Sequence, residues 1–437
     1  MFILVDDVGW NDVGYHGSEI STPNIDALAE SGVKLERSYV FPICSPTRAA
    51  LMTGQNPLKF GIDSPMALDG TLPLDLTLLP ERLKTAGYDT WLVGKWHLGH
   101  TEAESLPNAR GFDHYYGLLN GWVDHYTHVF NGGLDWQRNG TSIREKGHTT
   151  ALLTKEARDL IDEHDGDNPF FLYMAYDAPH TPLQLIDGVA KSYPEIENMD
   201  RRVYAEMMTD LDAHIGQLVS TLEAKGLLEN TLIVVMSDNG GDGPLGSSNA
   251  PLKGGKGLAF DGGLRTPALV SWRGHLAPNQ TLEDPVYIQN WAPTLLDAAG
   301  IEYPDAQFDG ASHWALIKDN TQSDSRQPVA IAGPQSKAVF LWPYKYVRHT
   351  PRFETTVTTH LYNIEDDPRE TTDVADKYPK IAEQLAAHLA QYDGIESIAE
   401  KGPRPEGIFQ NEDGSYNYSI RLPETRAPWA EAKEGTE

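Results

Sequence analysis

Acidic and amide side chains follow two apolar runs of the sequence. Asp6 and Asp7 come directly after the first run, and Asp238 and Asn239 follow another run much later in the chain. If these runs are neighbouring strands of an open α/β sheet, three carboxylates and an amide oxygen meet beyond the strand ends. Such a cluster repels itself unless a cation lies within it, and its oxygen ligands favour calcium or magnesium over zinc. Each Asp alone would serve as well to cap a turn, but the two pairs together favour a metal site.

The single cysteine lies at the predicted start of a helix. Cys44 precedes Ser45 and Pro46, which suit an N-cap and a first helical position, and the helix ends near Gly54. Backbone N–H groups and the helix dipole favour negative charge at this end, and Arg48 lies on the first turn. The pattern predicts an anion site around residue 44. A thiolate nucleophile and a buried structural cysteine are the alternatives.

Three further segments place basic side chains after apolar runs. Lys95 and His97 are two residues apart, so they face the same side of an extended segment. His180 has prolines on both sides, which fix its backbone, and Lys256 lies among glycines that let the backbone approach a ligand. A cation beside a titratable ring suits an anion that must also lose a leaving group. Each residue alone would more often be structural, but their shared position after core strands favours a catalytic site.

The elements that must position these residues follow an alternating pattern. From the start to about residue 300, short apolar runs alternate with helical patterns, which predicts a mostly parallel sheet flanked by helices. The predicted strands are Phe2–Val5, Thr90–Val93, Phe170–Ala175, Leu232–Ser237 and Ala268–Ser271. The predicted helices are the one after Cys44, the segment from Pro23 to Gly32, Leu76–Ala86, Arg201–Lys225 and Trp291–Ala299.

The pattern changes in the last third of the chain. We expect a catalytic α/β domain over residues 1–325 and a smaller α+β domain over residues 326–437. The smaller domain is predicted to contain antiparallel strands and one helix. These elements are Ala338–Trp342, Lys345–Arg348, Leu361–Ile364 and the helix Lys380–Tyr392. The segment from Lys401, rich in Pro, Gly and charge, is expected to run over the surface as an extended tail.

Charge and composition restrict the partners. The 437 residues carry 35 Lys and Arg against 63 Asp and Glu, a net charge of −28. Such a surface repels nucleic acid, and a site for any anion must carry its own cations. One cysteine excludes disulfides within the chain and zinc sites built from several thiolates. We expect no membrane span, and the first apolar run is typical of a core strand rather than of a signal peptide.

Two segments carry the signature motifs of a known family. CSPTR at residues 44–48 and GKWHLG at residues 94–99 resemble the two signatures of the type I sulfatases. LYNIEDDP at residues 361–368 is similar to their second domain, and the sequence around the catalytic candidates looks most like the arylsulfatase B branch. The other matching residues, in the family's order, are Asp6, Asp7, His180, Asp238, Asn239, Lys256 and the turn at residues 261–265. The resemblance implies an alkaline-phosphatase-like fold and hydrolysis of a sulfate ester.

The resemblance also implies a modified nucleophile and a metal ion. A formylglycine-generating enzyme would oxidise Cys44 to formylglycine, and one hydroxyl of the hydrated aldehyde would attack sulfur. One calcium ion per chain would be held by the modified residue 44 together with Asp6, Asp7, Asp238 and Asn239. The remaining candidates would act on the substrate.

Each of these remaining residues has an implied role. Arg48 would steady the hydrated aldehyde, and Lys95 and Lys256 would neutralise charge on the sulfate oxygens. His97 would assist the elimination that releases sulfate. His180 would protonate or hydrogen-bond the leaving alcohol oxygen.

Aromatic side chains between residues 112 and 136 bear on the substrate. Aromatic faces beside polar tips suit sugar rings, although packing against the sheet explains them equally well. The side chains are His114, Tyr115, Tyr116, Trp122, His125, Tyr126, His128 and Phe130. The resemblance implies a sulfated carbohydrate substrate, and we expect exo action on a sulfated galactose or N-acetylgalactosamine residue. It also implies a periplasmic or secreted enzyme if a leader has been removed.

Two other functions remain open at this point. One is a phosphomonoester or phosphonate hydrolase on the same scaffold, because lysines and a metal ion also suit a tetrahedral phosphorus dianion. That class usually uses two metal ions, and the sequence offers no second set of His and Asp ligands. The other is a glycan-binding homologue that has lost catalysis, against which the complete set of Lys, His and Arg argues.

Overall fold

A computed structural model describes the chain except residues 69, 132, 187–191, 320–326, 352–355, 399, 402–432 and 435–437. The strands are β1 (Phe2–Val5), β2 (Val33–Leu35), β3 (Ser38–Tyr39), β4 (Ala67–Leu68), β5 (Asp89–Gly94), β6 (His114–Gly117), β7 (Val129–Phe130), β8 (Gly133–Leu134), β9 (Gln137–Arg138), β10 (Thr141–Arg144), β11 (Phe170–Ala175), β12 (Ile233–Ser237), β13 (Ala268–Ser271), β14 (Gln280–Leu282), β15 (Val286–Tyr287), β16 (Val329–Ala332), β17 (Ser336–Leu341), β18 (Tyr344–His349), β19 (Thr358–Asn363), β20 (Glu400–Lys401) and β21 (Lys433–Glu434).

Eleven of these strands form the central sheet of the described chain, in the order β14-β2-β13-β12-β1-β11-β5-β6-β9-β10-β21. The five middle strands, from β12 to β6, are parallel to one another. On one side β13 is antiparallel to both β12 and β2, and on the other β9 is antiparallel to both β6 and β10. All five predicted strands are present in this sheet. The predicted mostly parallel α/β architecture is therefore confirmed, with antiparallel pairs toward both edges.

The helices are α1 (Pro23–Glu30), α2 (Cys44–Thr53), α3 (Leu79–Thr85), α4 (Thr149–Glu163), α5 (Met199–Ala224), α6 (Asp261–Leu264), α7 (Trp291–Ala298), α8 (Trp314–Asp319) and α9 (Pro379–Ala390). Gly54 ends α2 in a left-handed conformation with φ of 66°, and the Asn198 side chain caps the start of α5. Helix α3 begins later than predicted, with Pro80 in its first turn. Helix α4 was not predicted, although it buries an apolar stripe at helical spacing.

The two faces of the sheet bury separate apolar cores. Side chains of β1 alternate between them: Phe2 and Leu4 pack on the side of α2 and α7, and Ile3 and Val5 on the side of α1, α4 and α5. Because both faces are covered, the central strands are continuous apolar runs rather than alternating ones. Helix α2 is buried along its whole length, which fixes the position of Cys44 at its first residue.

A separate antiparallel sheet, β16-β17-β18-β19, lies in the C-terminal region with α9 packed against it. Its buried Val339 and Phe340 belong to the same apolar core as Leu4. Strand β16 was not predicted. The predicted domain boundary at residues 325 and 326, and nearly all of the predicted tail after Lys401, lie outside the described residues. Among the described helices, none combines the length and the apolar character needed to cross a bilayer.

Candidate active site

The two predicted acidic pairs lie side by side at the carboxyl edge of the sheet. Strands β1 and β12 are parallel neighbours with Val5 opposite Ser237, so the residues that follow them emerge together. Asp6 and Asp238 are fully buried there. The backbone N–H of Asp7 donates to Asp238 Oδ1 at 3.4 Å. Three carboxylates are thus gathered in a small volume from which water is largely excluded.

Two buried cations compensate the innermost carboxylates. Arg48, on the first turn of α2, donates to Asp238 Oδ2 from Nε at 3.2 Å and from Nη2 at 2.8 Å. The same guanidinium lies 3.6 Å from Asp6 Oδ2, and Lys95 Nζ also binds that oxygen. Arg48 Nη1 donates to the Lys95 carbonyl at 3.0 Å, which ties α2 to the segment after β5. A buried cluster of this kind is stable only while each charge keeps its partner.

Lys256 and His180 surround the third carboxylate. Lys256 Nζ lies 2.6 Å from Asp7 Oδ1 and 2.7 Å from Oδ2, and His180 Nε2 lies 3.6 Å from Oδ2. Burial acts to raise the pKa of Asp7, but the Lys256 ammonium and the hydrogen bonds from Lys256 and Asn239 hold it well below its ordinary value. Burial and the nearby Lys256 ammonium lower the pKa of His180 to about 3. The His180 ring is therefore neutral at pH 7.

Cys44 contacts the ring of His97. The distance from Sγ to Nδ1 is 3.2 Å, and Nε2 lies 2.9 Å from the Met66 carbonyl oxygen. A carbonyl oxygen only accepts, so the ring hydrogen is assigned to Nε2 and Nδ1 offers a lone pair to residue 44. Burial, reinforced by Lys95, lowers the pKa of His97 well below its ordinary value. The His97 ring is therefore neutral, and its Nδ1 lone pair can accept a hydrogen bond from a group at residue 44.

The tautomer of His180 is assigned by the same argument. His180 Nδ1 lies 2.7 Å from the Thr181 carbonyl oxygen, so Nδ1 carries the hydrogen and Nε2 faces Asp7. Behind it, His125 Nε2 contacts the His180 carbonyl oxygen at 3.2 Å, and His125 Nδ1 lies 3.2 Å from Asp177 Oδ2. Backbone carbonyl groups thus hold the rings of His97 and His180 in one tautomer each.

Two buried oxygens in this site have no hydrogen-bond partner among the described residues: Asp6 Oδ1 and Asn239 Oδ1. Asn239 instead donates through Nδ2 to Asp7 Oδ1 at 2.7 Å. Burial, reinforced by the neighbouring Asp238, raises the pKa of Asp6 to about 7. Unpaired buried oxygens and a carboxylate that resists ionisation fit a site for a divalent cation with oxygen ligands.

The structure also contains site residues that the sequence did not reveal. The Met66 carbonyl orients His97 but is a backbone group, which no side-chain pattern marks. Gly121 lies so close to His97 that a Cβ there would be 2.6 Å from the ring carbon Cε1, so only glycine fits. No pattern in the sequence marked Gly121, because its role depends on the tertiary contact with His97.

The aromatic segment divides into buried and surface members. Four of its side chains have exposed fractions of 1% and serve packing: Tyr115, Tyr116, His125 and His128. Trp122 and Phe130 are partly buried, and Tyr126 is exposed. The packing interpretation holds for the first four, which are too deeply buried to face a sugar.

Comparisons with known proteins give the family. Residues 1–301 match the family model described as Sulfatase, and residues 255–394 match the model described as N-sulphoglucosamine sulphohydrolase, C-terminal. The chain belongs to the sulfatase family. As a sulfatase it is a sulfuric ester hydrolase, and the type I family and fold predicted from the motifs are confirmed.

Three similar proteins illustrate the extent of the match. The sulfatase is 34% identical to arylsulfatase J of Mus musculus over 90% of this chain and 75% of that protein. It is 35% identical to N-acetylgalactosamine-6-sulfatase of Mus musculus over 71% of this chain and 64% of that enzyme. The crystal structure of Ps i-CgsB in complex with k-i-k-neocarrahexaose is 32% identical, has a TM-score of 0.84, and is matched over 91% of this chain and 93% of that one.

We expect Arg48→Met to lower the free energy of unfolding by about 3–5 kcal/mol, because it leaves Asp238 and Asp6 buried without their guanidinium. Urea denaturation at pH 7 measures this loss. The control is Lys155→Met, which breaks an exposed pair with Asp159 and should cost less than about 0.5 kcal/mol. A loss for Arg48→Met no larger than that of the control would show that the buried network does not depend on Arg48.

Proposed function

We propose that this sulfatase acts in exo mode on a sulfated galactose or N-acetylgalactosamine residue of a glycan, with formylglycine made from Cys44 and one calcium ion. The observation that carries the proposal is the contact between Cys44 and His97 beside the cations of Arg48, Lys95 and Lys256. A sulfate ester needs cations on its oxygens and a nucleophile beside its sulfur, and this arrangement supplies both. The similarities to N-acetylgalactosamine-6-sulfatase and to a structure holding a neocarrahexaose support the sugar class.

Formylglycine at residue 44 supplies a hydrate with two hydroxyls on one carbon, one to attack sulfur and one to permit the release of sulfate. His97 Nδ1 takes the proton of the second hydroxyl, since its Nε2 hydrogen is engaged by the Met66 carbonyl. Loss of that proton re-forms the C=O bond and breaks the carbon–oxygen bond to sulfate. Burial raises the pKa of the Cys44 thiol, which disfavours an unmodified thiolate as the nucleophile.

The remaining side chains bind the sulfate and the leaving group. Lys95 and Lys256 neutralise the sulfate oxygens, and Arg48 holds the hydrate at residue 44. His180 Nε2, which carries no hydrogen in the resting protein, takes up the proton that the attacking hydroxyl loses and passes it to the leaving alcohol oxygen. Because burial and Lys256 disfavour the charged ring, a proton that reaches Nε2 is given up readily.

Calcium would be held by Asp6, Asp7, Asp238 and Asn239 together with residue 44. When bound, it polarises the sulfate and lowers the pKa of the attacking hydroxyl. The unpaired Oδ1 atoms of Asp6 and Asn239 support this ligand set.

A phosphomonoesterase on this scaffold is the closest rival. Such enzymes usually bind two metal ions, and in the described part of the chain only one cluster, Asp6 with Asp7 and His180, gathers three acidic or histidine ligands. A glycan-binding homologue without catalysis would not need the oriented His97 lone pair. The geometry therefore favours sulfate-ester hydrolysis over both.

Trp122 is the aromatic side chain that we assign to the sugar. It follows Gly121, which contacts the His97 ring, so its backbone lies at the margin of the catalytic residues. Its indole is partly exposed and packs edge-on against Phe130, with ring centroids 5.2 Å apart. Asp135 holds the preceding backbone by accepting from two consecutive N–H groups. A rigid, partly exposed indole in the segment that packs against His97 suits the apolar face of a sugar ring.

We expect protein produced with a formylglycine-generating enzyme to lose about 18 Da at residue 44 and to release sulfate from 4-nitrophenyl sulfate. Intact-mass analysis and a colorimetric assay measure both. Cys44→Ala should lower kcat/KM by at least about a thousandfold. A higher kcat/KM on 4-nitrophenyl phosphate, or full activity without the mass change, would contradict the proposal.

We expect removal of calcium with a chelator to lower Tm and re-addition of calcium to restore it. Binding only the folded state stabilises it by about 2.7 kcal/mol at a hundredfold excess over Kd. Differential scanning calorimetry measures the shift. Asp6→Asn should reduce the response to calcium, whereas Asp159→Asn on the surface should keep it. A Tm that calcium leaves unchanged would rule out the predicted ion.

We expect Trp122→Ala to raise KM about tenfold on a sulfated galactose or N-acetylgalactosamine substrate, because the stacking surface is lost. On 4-nitrophenyl sulfate the same variant should change kcat/KM by less than about threefold, since that substrate has no sugar ring. Trp272→Ala is the control, because Trp272 packs against His275 and Trp314 and donates to the Glu229 carbonyl. Equal losses on both substrates would show that Trp122 supports the site rather than binds the sugar.

A further inference from the structure

Three charged side chains from distant parts of the chain meet in a second buried cluster. Lys345 Nζ on β18 lies 2.7 Å from Asp261 Oδ1 and 2.8 Å from Glu370 Oε1. The backbone N–H of Asp261 donates to Glu370 Oε2 at 2.7 Å, and Tyr39 Oη donates to Asp261 Oδ2 at 3.2 Å. All three charged groups are at most 1% exposed. The reaction described above uses none of them.

Asp261 of this cluster begins a short helix that contacts the loop carrying Lys256. Asp261 is the first residue of α6, and the next N–H, of Gly262, donates to the Lys253 carbonyl at 2.7 Å. A Cβ at Gly263 would lie 2.1 Å from the Leu258 carbonyl oxygen, so the two backbones are in contact. The start of α6 therefore supports residues 253–258.

The C-terminal region holds both ends of the same loop. Lys253 Nζ donates to the Glu370 carbonyl at 3.1 Å and to Tyr362 Oη at 3.2 Å. At the other end, the backbone N–H of Ala259 donates to Ser336 Oγ, at the first residue of β17. The loop is thus attached on each side of Lys256 to residues of the C-terminal region.

The backbone of the same loop also bonds to two segments that carry site residues, the one before Cys44 and the one after Asn239. The N–H of Gly257 donates to the Pro42 carbonyl at 2.6 Å, two residues before Cys44. The N–H of Lys256 donates to the Gly241 carbonyl at 3.2 Å. The position of this loop therefore decides where Lys256 Nζ stands relative to Asp7.

Burying charged side chains between α6 and the C-terminal region costs free energy of desolvation, which packing alone would not require. Well-packed apolar side chains often give equal or greater stability, whereas a buried ion cluster specifies one arrangement of its parts. Glu370 is moreover held with φ of 54°, a conformation unusual outside glycine and asparagine. Its carboxylate reaches the first N–H of α6 from this turn.

We propose that Lys345, Asp261 and Glu370 are positioning residues that set Lys256 against the sulfate site, so that the C-terminal region completes the active site. The inference rests on the sulfate-binding role proposed for Lys256. Lys256 touches the substrate; the cluster acts only through the loop that carries it.

A double-mutant cycle on the modified, calcium-loaded enzyme tests this. Glu370→Gln should lower kcat/KM on 4-nitrophenyl sulfate at least about tenfold in the wild-type background and less than about twofold in the Lys256→Ala background. Lys345→Gln is the second variant, with the same pattern expected. Leu389→Ala, which removes a buried side chain of α9, is the control for a weakened C-terminal region and should leave kcat/KM unchanged. Effects that multiply in the two backgrounds would overturn the proposal.

Amide hydrogen exchange provides a readout that needs no turnover. Glu370→Gln should speed exchange at Gly257 and Gly262, whose N–H groups hold the loop, while Leu389→Ala should not. Unchanged protection at both amides would overturn the positioning role. If the wild-type enzyme released no sulfate, the proposed function would fail, and the exchange result would still decide whether the cluster holds the loop.

Discussion

Compensation of buried charge is the constraint on which the catalytic edge of the sheet depends. Asp6 and Asp238 have no access to water, and two cations from separate segments make their burial possible. Arg48 comes from a helix and Lys95 from the segment after a strand, so neither acid is compensated until long-range structure has formed. In the proposed function the same charged groups bind the sulfate ester and a divalent ion. On that proposal, stability and substrate binding depend on the same groups.

Backbone carbonyl groups separate the roles of two otherwise similar histidines. The Met66 carbonyl leaves the lone pair of His97 facing residue 44, and the Thr181 carbonyl leaves that of His180 facing Asp7. His97 is buried and His180 is partly buried, and desolvation together with nearby lysines lowers the pKa of both rings, so both are neutral in the resting protein. Orientation rather than intrinsic basicity distinguishes them.

The sequence predicted those elements and site residues that a local pattern of residue types marks. Continuous apolar runs predicted the central strands, and the acids at the ends of two of them predicted which edge of the sheet matters, because a buried parallel sheet exposes only its ends. Contacts that depend on tertiary structure left no such pattern. Lys345 and Glu370 look like ordinary surface charges in the sequence, and only the fold shows that they are buried. The aromatic segment was ambiguous because burial, not composition, separates Tyr116 from Trp122.

The two matched family models overlap over residues 255–301, and this overlap contains Lys256 and Asp261. The loop that carries Lys256 also contacts both regions, since its backbone bonds Pro42 and Gly241 on one side and Ser336 and Glu370 bond residues 259 and 253 on the other. Such an arrangement opposes modular exchange: a recombination joint placed between the two sheets would separate the lysine from its support.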